Sequence, residues 1–203
     1  MFHLTHIYVA EKILGNNPMT LIGSTLLDIP ISSKGYLSWT DFTGPKKWHD
    51  KLKNSELKKG ILSHVAIDYV SHGDLNNDET DGTGYAFKYF DSRFPKLRGR
   101  NIFMLNSHNL PEWLLELYVA KTNPQVFNQF EEALENTNLA EISEDLSQAT
   151  GKSKEKINGI LGEYVNLMRR MNKVTKGIKF LGNPWQEREK TLQECIDACA
   201  CIA

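Results

Sequence analysis

Gly60-Ile61-Leu62-Ser63-His64-Val65-Ala66-Ile67-Asp68-Tyr69-Val70-Ser71-His72 reads as one helix from Gly60 to Ser71, ended by Gly73. At about 100° per residue, His64, Asp68 and His72 fall within roughly 80° of one another and form a single polar stripe. Ile61, Val65, Ile67 and Val70 occupy the other faces. A helix that is apolar almost all round is buried, so the stripe faces protein rather than water. Two imidazoles and a carboxylate are costly to bury together unless they pair with one another or hold a cation, and divalent zinc takes these ligand types. The stripe therefore reads either as part of a metal site or as a His-Asp hydrogen-bond ladder in a partly wet core.

The same logic extends along the chain. Asn17-Pro18, Asn123-Pro124 and Asn183-Pro184 each pair a capping side chain with a proline whose missing N–H costs nothing in a first helical turn, and each predicts a helix start. Thr5 to Leu14 carries Ile7, Ala10, Ile13 and Leu14 at helical spacing, with Gly15 as its stop. Further helices are expected over Pro111 to Lys121, Pro124 to Glu135, Leu139 to Ala149, Ser153 to about Thr175, and from Pro184 onward. Sustained period-2 alternation is absent, and Tyr85 to Phe90 is the single plausible short strand. The expected fold is all-α, a multi-helix bundle with long loops, Pro30 to Pro45 and Gly73 to Gly84, around a metal cluster. Residues 1–122 form the metal-site region and residues 123–203 a helical scaffold or lid, the two packed as one domain.

Length and charge narrow the classes. The chain has 203 residues, enough for a sizeable core. With 24 Lys+Arg against 25 Asp+Glu, the net charge of -1 removes the usual electrostatic reason for bulk binding to a polyanion, so no stable nucleic-acid partner is expected. No apolar run is long enough for a transmembrane segment, and the opening Met1-Phe2-His3-Leu4-Thr5-His6 does not resemble a secretory signal, which predicts a cytoplasmic protein. Cys195, Cys199 and Cys201 all fall in the last nine residues and cannot staple the rest of the chain.

All six histidines, His3, His6, His49, His64, His72 and His108, precede residue 109. His108 and Glu112 share the i, i+4 spacing and meet on one face if their helix begins at or before His108; otherwise Glu112 is a favourable dipole partner near a helix start. His3 and His6 form an i, i+3 pair at the opening of the first helix. Asp28 closes the apolar run Gly23 to Leu27, either as a ligand carboxylate or as the first polar residue of a loop. His49, in Lys47-Trp48-His49-Asp50, has an exposed basic turn as its alternative.

In chain order these residues read His6, Asp28, His49, His64-x3-Asp68-x3-His72 and His108-x3-Glu112. In that order they resemble the zinc-dependent phospholipase C family, whose relatives include the single-strand-specific zinc nucleases. The resemblance covers about residues 1 to 120. It implies an all-helical hydrolase with two or three zinc ions. Asp28, His49, His64 and Asp68 would hold one ion, and His72, His108 and Glu112 a second. His6, Asp68 as a bridge and a group from the N-terminus would hold the third. Family members use a processed N-terminal amine in that last place; here the expectation is that His3 takes it. The stripe also departs from the secreted phospholipases, with fewer residues between Asp68 and His72.

The implied chemistry is hydrolysis of a phosphodiester or phospholipid headgroup by a metal-activated water, with Asp28 as the catalytic carboxylate that orients or deprotonates it. Arg98 and Arg100 are candidates for phosphate contact, with a solvated basic loop as the alternative. A calcium loop over Asp74-x-Asn76-x-Asp78 is disfavoured because Glu79 replaces the required glycine and Tyr85 the bidentate glutamate. Two other functions compete. An HD-type metal phosphohydrolase would use the dipeptide His49-Asp50, leaving the other ligand pairs unexplained, and a non-catalytic metal-binding interaction module would need no reaction at all.

Overall fold

The computed structural model describes residues 3–31, 33–37, 48–72 and 109–177, together with 193, 196, 197 and 200. The architecture is all-α, as expected: seven α-helices and two short 3₁₀ turns, with no strand among the described residues. The helices are α1 (His3–Leu14), α2 (Pro18–Gly23), α3 (Ser55–His72), α4 (Asn109–Thr122), α5 (Val126–Asn136), α6 (Leu139–Thr150) and α7 (Lys154–Gly177). The 3₁₀ turns are Leu26–Ile31 and Trp48–Lys51. The expected strand at Tyr85 to Phe90, the Gly73 to Gly84 loop, Arg98 and Arg100 lie outside the described residues, as do the start at Asn183-Pro184 and Cys195, Cys199 and Cys201.

Local signals explain most helix ends. The Asn17 side chain accepts from Met19 N at 2.9 Å and Thr20 N at 3.4 Å, with Pro18 in the first turn of α2. Asn138 caps α6 in the same way. Gly15 and Gly151, at φ of +86° and +71°, end α1 and α6 in the left-handed conformation that glycine adopts without strain. Several starts differ from expectation, with α1 opening at His3 and α4 at Asn109, each two residues early. Helix α3 begins at Ser55, five residues before Gly60, because Asn54 Oδ1 accepts from both Glu56 N and Leu57 N at 3.0 Å. Helix α5 begins at Val126 rather than Pro124, since the Asn123 side chain donates to the Thr122 hydroxyl instead of capping.

One contiguous core runs through the helices, from Leu4 and Ile7 of α1 through Ile61 and Ile67 of α3 to Phe130 of α5 and Leu161 of α7. Each fully buried aliphatic or aromatic side chain of this kind contributes about 1.5–3 kcal/mol relative to exposure. No helix among the described residues is long and apolar enough to cross a membrane.

Where α2 crosses α3 the two backbones touch. A Cβ on Gly60 would fall 2.2 Å from the Thr20 carbonyl oxygen, and one on Gly23 would fall 2.7 Å from the Leu57 carbonyl oxygen. Gly60 thus sits inside α3 despite its poor helix propensity, because nothing larger fits the crossing. The close approach brings the chain just after α2 against the next turn of α3, where His64 lies.

Two further tethers join the second half of the chain to the first. Buried Asp145 of α6 accepts from Lys53 N at 2.9 Å and Asn54 N at 3.0 Å, fixing the segment between the Trp48–Lys51 turn and α3. Tyr164 of α7 donates its hydroxyl to Thr25 O at 2.5 Å, beside the turn that carries Asp28.

Candidate metal centre

His64 is buried, and its Nδ1 lies 2.6 Å from the Ser24 carbonyl oxygen. A carbonyl only accepts, so Nδ1 carries the hydrogen and Nε2 is the nitrogen left for other chemistry. One helical turn later, Asp68 places Oδ2 at 3.0 Å from His64 Nε2. His6 approaches from α1, with Nε2 3.6 Å from Asp68 Oδ1. Its ring stacks on that of His64, centroids 3.7 Å apart and planes 7° apart. One donor atom from each of His6, His64 and Asp68 lies within 4.8 Å of the others, and all three residues are buried.

This arrangement has only a few low-energy protonation states. With His64 Nδ1 committed to Ser24, a neutral ring points its Nε2 lone pair at a carboxylate oxygen, acceptor against acceptor. Either Nε2 takes a proton or a cation lies between them. In the metal-free protein the proton is favoured: burial pulls the His64 imidazole down, but the charge and hydrogen bond of Asp68, then the charge of Asp28 and the Ser24 carbonyl, push it up to about 9. With a cation, the same contacts become a ligand set. Donors around a tetrahedral ion at about 2.1 Å sit ~3.4 Å apart, between the two observed separations. The hydrogen bond from Nδ1 to a backbone carbonyl is the outer support that metal-bound imidazoles ordinarily have. Because Asp68 turns one oxygen to each ring, it can serve a single ion or bridge two.

Asp28 sits in the 3₁₀ turn Leu26–Ile31, buried and near enough to His64 and Tyr164 for its charge to act on both. Burial raises the Tyr164 hydroxyl well above its usual range, and the Asp28 carboxylate pushes the same way. His49 lies in the Trp48–Lys51 turn, outside the three-residue group, with Nε2 3.8 Å from Asp50 Oδ1. Asp50 itself pairs with Lys58 at 3.0 Å on the exposed side. His72 is the last residue of α3 and Glu112 lies in the first half of α4, but their side chains, and all of His108, lie outside the described residues.

His3, the residue expected to join His6 at a third ion, faces Glu116 of α4 and Phe130 of α5. It stands outside the group formed by its helix neighbour His6, with Nδ1 3.0 Å from Glu116 Oε1 and its ring tilted against Phe130. Glu116, a buried carboxylate of α4, occupies the start of α1 beside it. Sequence reasoning passed over Glu116, Asp145 and Tyr164. A signal existed for Glu116: it is the lone charge in the apolar run Trp113 to Ala120.

Comparison with known protein families, with curated proteins and with solved structures finds no match to this chain.

Proposed function

We propose that the protein is a zinc-dependent phosphoesterase, acting on a phosphodiester or a phospholipid headgroup, as the resemblance to zinc-dependent phospholipases C implies. The observation that carries the reading is the orientation of His64: its Nδ1–H is held by Ser24, so its Nε2 faces Asp68 Oδ2 with His6 stacked alongside. His6, His64 and Asp68 would hold an ion, and His72, His108 and Glu112 are the residues proposed for a second. Zinc bound there would supply a water with its pKa lowered toward ~7 and positive charge for a phosphate oxygen.

The chain's own residues have separate tasks. Asp68 offers an oxygen to each imidazole and neutralises the bound charge. Ser24 fixes the His64 tautomer, so that Nε2 is the donor presented. Asp28, buried at the edge of the group and held in its turn beside the Tyr164 tether, is the carboxylate proposed to accept a proton from the attacking water. The buried setting excludes bulk water from the ligand atoms and strengthens each of these charge interactions.

The test is elemental analysis of protein supplemented with zinc and dialysed, followed by a panel of phosphodiester and phospholipid substrates. Stoichiometric zinc with turnover that Asp28→Asn abolishes is the expected result. Substoichiometric zinc overturns the reading. Zinc without turnover of any panel member identifies a metal-binding module instead, and a preference for iron, manganese or magnesium favours the HD-type alternative.

A further inference from the structure

Helix α1 takes a cap from a distant part of the chain. The preceding residues in the sequence, Met1 and Phe2, carry no side-chain oxygen or nitrogen, yet the first turn is buried: Leu4, Thr5 and His6 are all 0–1% exposed. Unsatisfied N–H groups at a buried helix start are costly, so an acceptor must come from elsewhere. It comes from α4. Glu116, 2% exposed, accepts from Leu4 N through Oε1 and from Thr5 N through Oε2, each at 3.1 Å, and lies 3.4 Å from the Thr5 hydroxyl. A carboxylate at a helix N-terminus also meets the positive end of the helix dipole, which compensates for burying its charge.

The two amides held by Glu116 immediately precede His6. Fixing Leu4 and Thr5 fixes the position and rotation of the first turn of α1, and with them the ring that stacks on His64 and faces Asp68. We infer that Glu116 is a positioning residue for the metal centre, setting metal affinity through the placement of His6 without contacting the ion. This inference rests on the reading that His6, His64 and Asp68 hold zinc. It goes beyond that reading in making affinity depend on a residue of α4 that lies outside the ligand group.

The experiment is a zinc competition titration of the full chain against a chromophoric chelator, with the visible spectrum of the cobalt-loaded protein as a second readout. Wild type, Asp68→Ala, Glu116→Gln, Glu116→Ala and Asn138→Ala are compared. Asn138→Ala removes the cap of α6, a helix that supplies no member of the ligand group, and controls for lost stability alone. Outer supports of metal ligands are worth about ten- to a hundredfold in affinity, so Glu116→Ala is expected to bind zinc that much more weakly. Glu116→Gln keeps one acceptor oxygen and should fall between Glu116→Ala and wild type, with a cobalt spectrum altered from wild type. Asn138→Ala should retain wild-type affinity and spectrum at a lowered Tm. If Glu116→Ala does not fold, Glu116→Gln decides. Wild-type affinity and an unaltered cobalt spectrum in Glu116→Gln overturn the inference while leaving the metal reading intact. Equal weakening in Asn138→Ala overturns it too, by making the effect one of general stability. Absence of zinc from the wild type overturns the metal reading, and this inference with it.

Discussion

His6 and His64 lie ring on ring, 3.7 Å apart and within 7° of parallel, with Asp68 presenting one carboxylate oxygen to each. Two imidazolium cations stacked this closely in a buried site repel each other, so the pair is poorly suited to carrying two protons and well suited to sharing one cation with the carboxylate.

Asp68 should therefore be the residue on which metal binding depends most. Asp68→Ala is expected to lower zinc affinity by more than about a hundredfold, beyond the usual effect of an outer support, and by more than His72→Ala does. Chelator competition followed by elemental analysis measures both. Equal losses in the two variants would remove Asp68 from its central place.

Stability without metal should depend on pH through the same group. His64 is raised from 6.5 to about 9, so its contribution is fully present below the unfolded value and is lost as pH rises through about 9. In chelator, the protein should lose on the order of 3 kcal/mol across that window, read by denaturant melts at each pH. Saturating zinc should reverse the trend, since a ligand imidazole must be deprotonated and affinity then grows with pH. A flat profile in chelator would mean that the buried His64–Asp68 pair does not take up the proton.

Gly60→Ala tests the α2–α3 crossing. In an unobstructed helix the change stabilises by up to about 1 kcal/mol. Here the new Cβ would sit 2.2 Å from Thr20 O and 2.8 Å from Ser24 N, so the helices must separate. A net destabilisation of about 2–4 kcal/mol is expected, together with weaker zinc binding, because Ser24 moves away from His64 Nδ1. Thermal unfolding and the zinc titration report the two effects separately.

Tyr164→Phe tests the support under the Asp28 turn. Removing the hydroxyl leaves Thr25 O without that donor in a buried place, at a cost of about 1–2 kcal/mol. If Asp28 acts on the attacking water, turnover should fall more than zinc content does. A loss of stability with turnover per bound zinc unchanged would confine Tyr164 to a structural role.

Much of this protein was legible in short-range chemistry. The Asn17 cap, the Gly15 stop and the apolar periodicity around them determine the helices, because capping and 3.6-residue repetition involve neighbours within a turn or two. The juxtaposition of His64 with Asp68 is likewise local, since i, i+4 side chains share a face of any α-helix. The early start of α3 depends on the Asn54 cap, a signal that is local too. Tertiary structure alone decided which N-terminal histidine meets α3. His6 and His3 are both buried on α1, yet His6 stacks on His64 while His3 turns to a glutamate 113 positions further along the chain. That choice depends on how closely α2 can approach α3 at Gly23 and Gly60, and on a carboxylate of α4 satisfying the first amides of α1. These contacts join residues far apart in sequence, where no periodicity or cap signal can register them; packing and the need to satisfy buried polar groups select them only once the helices have met.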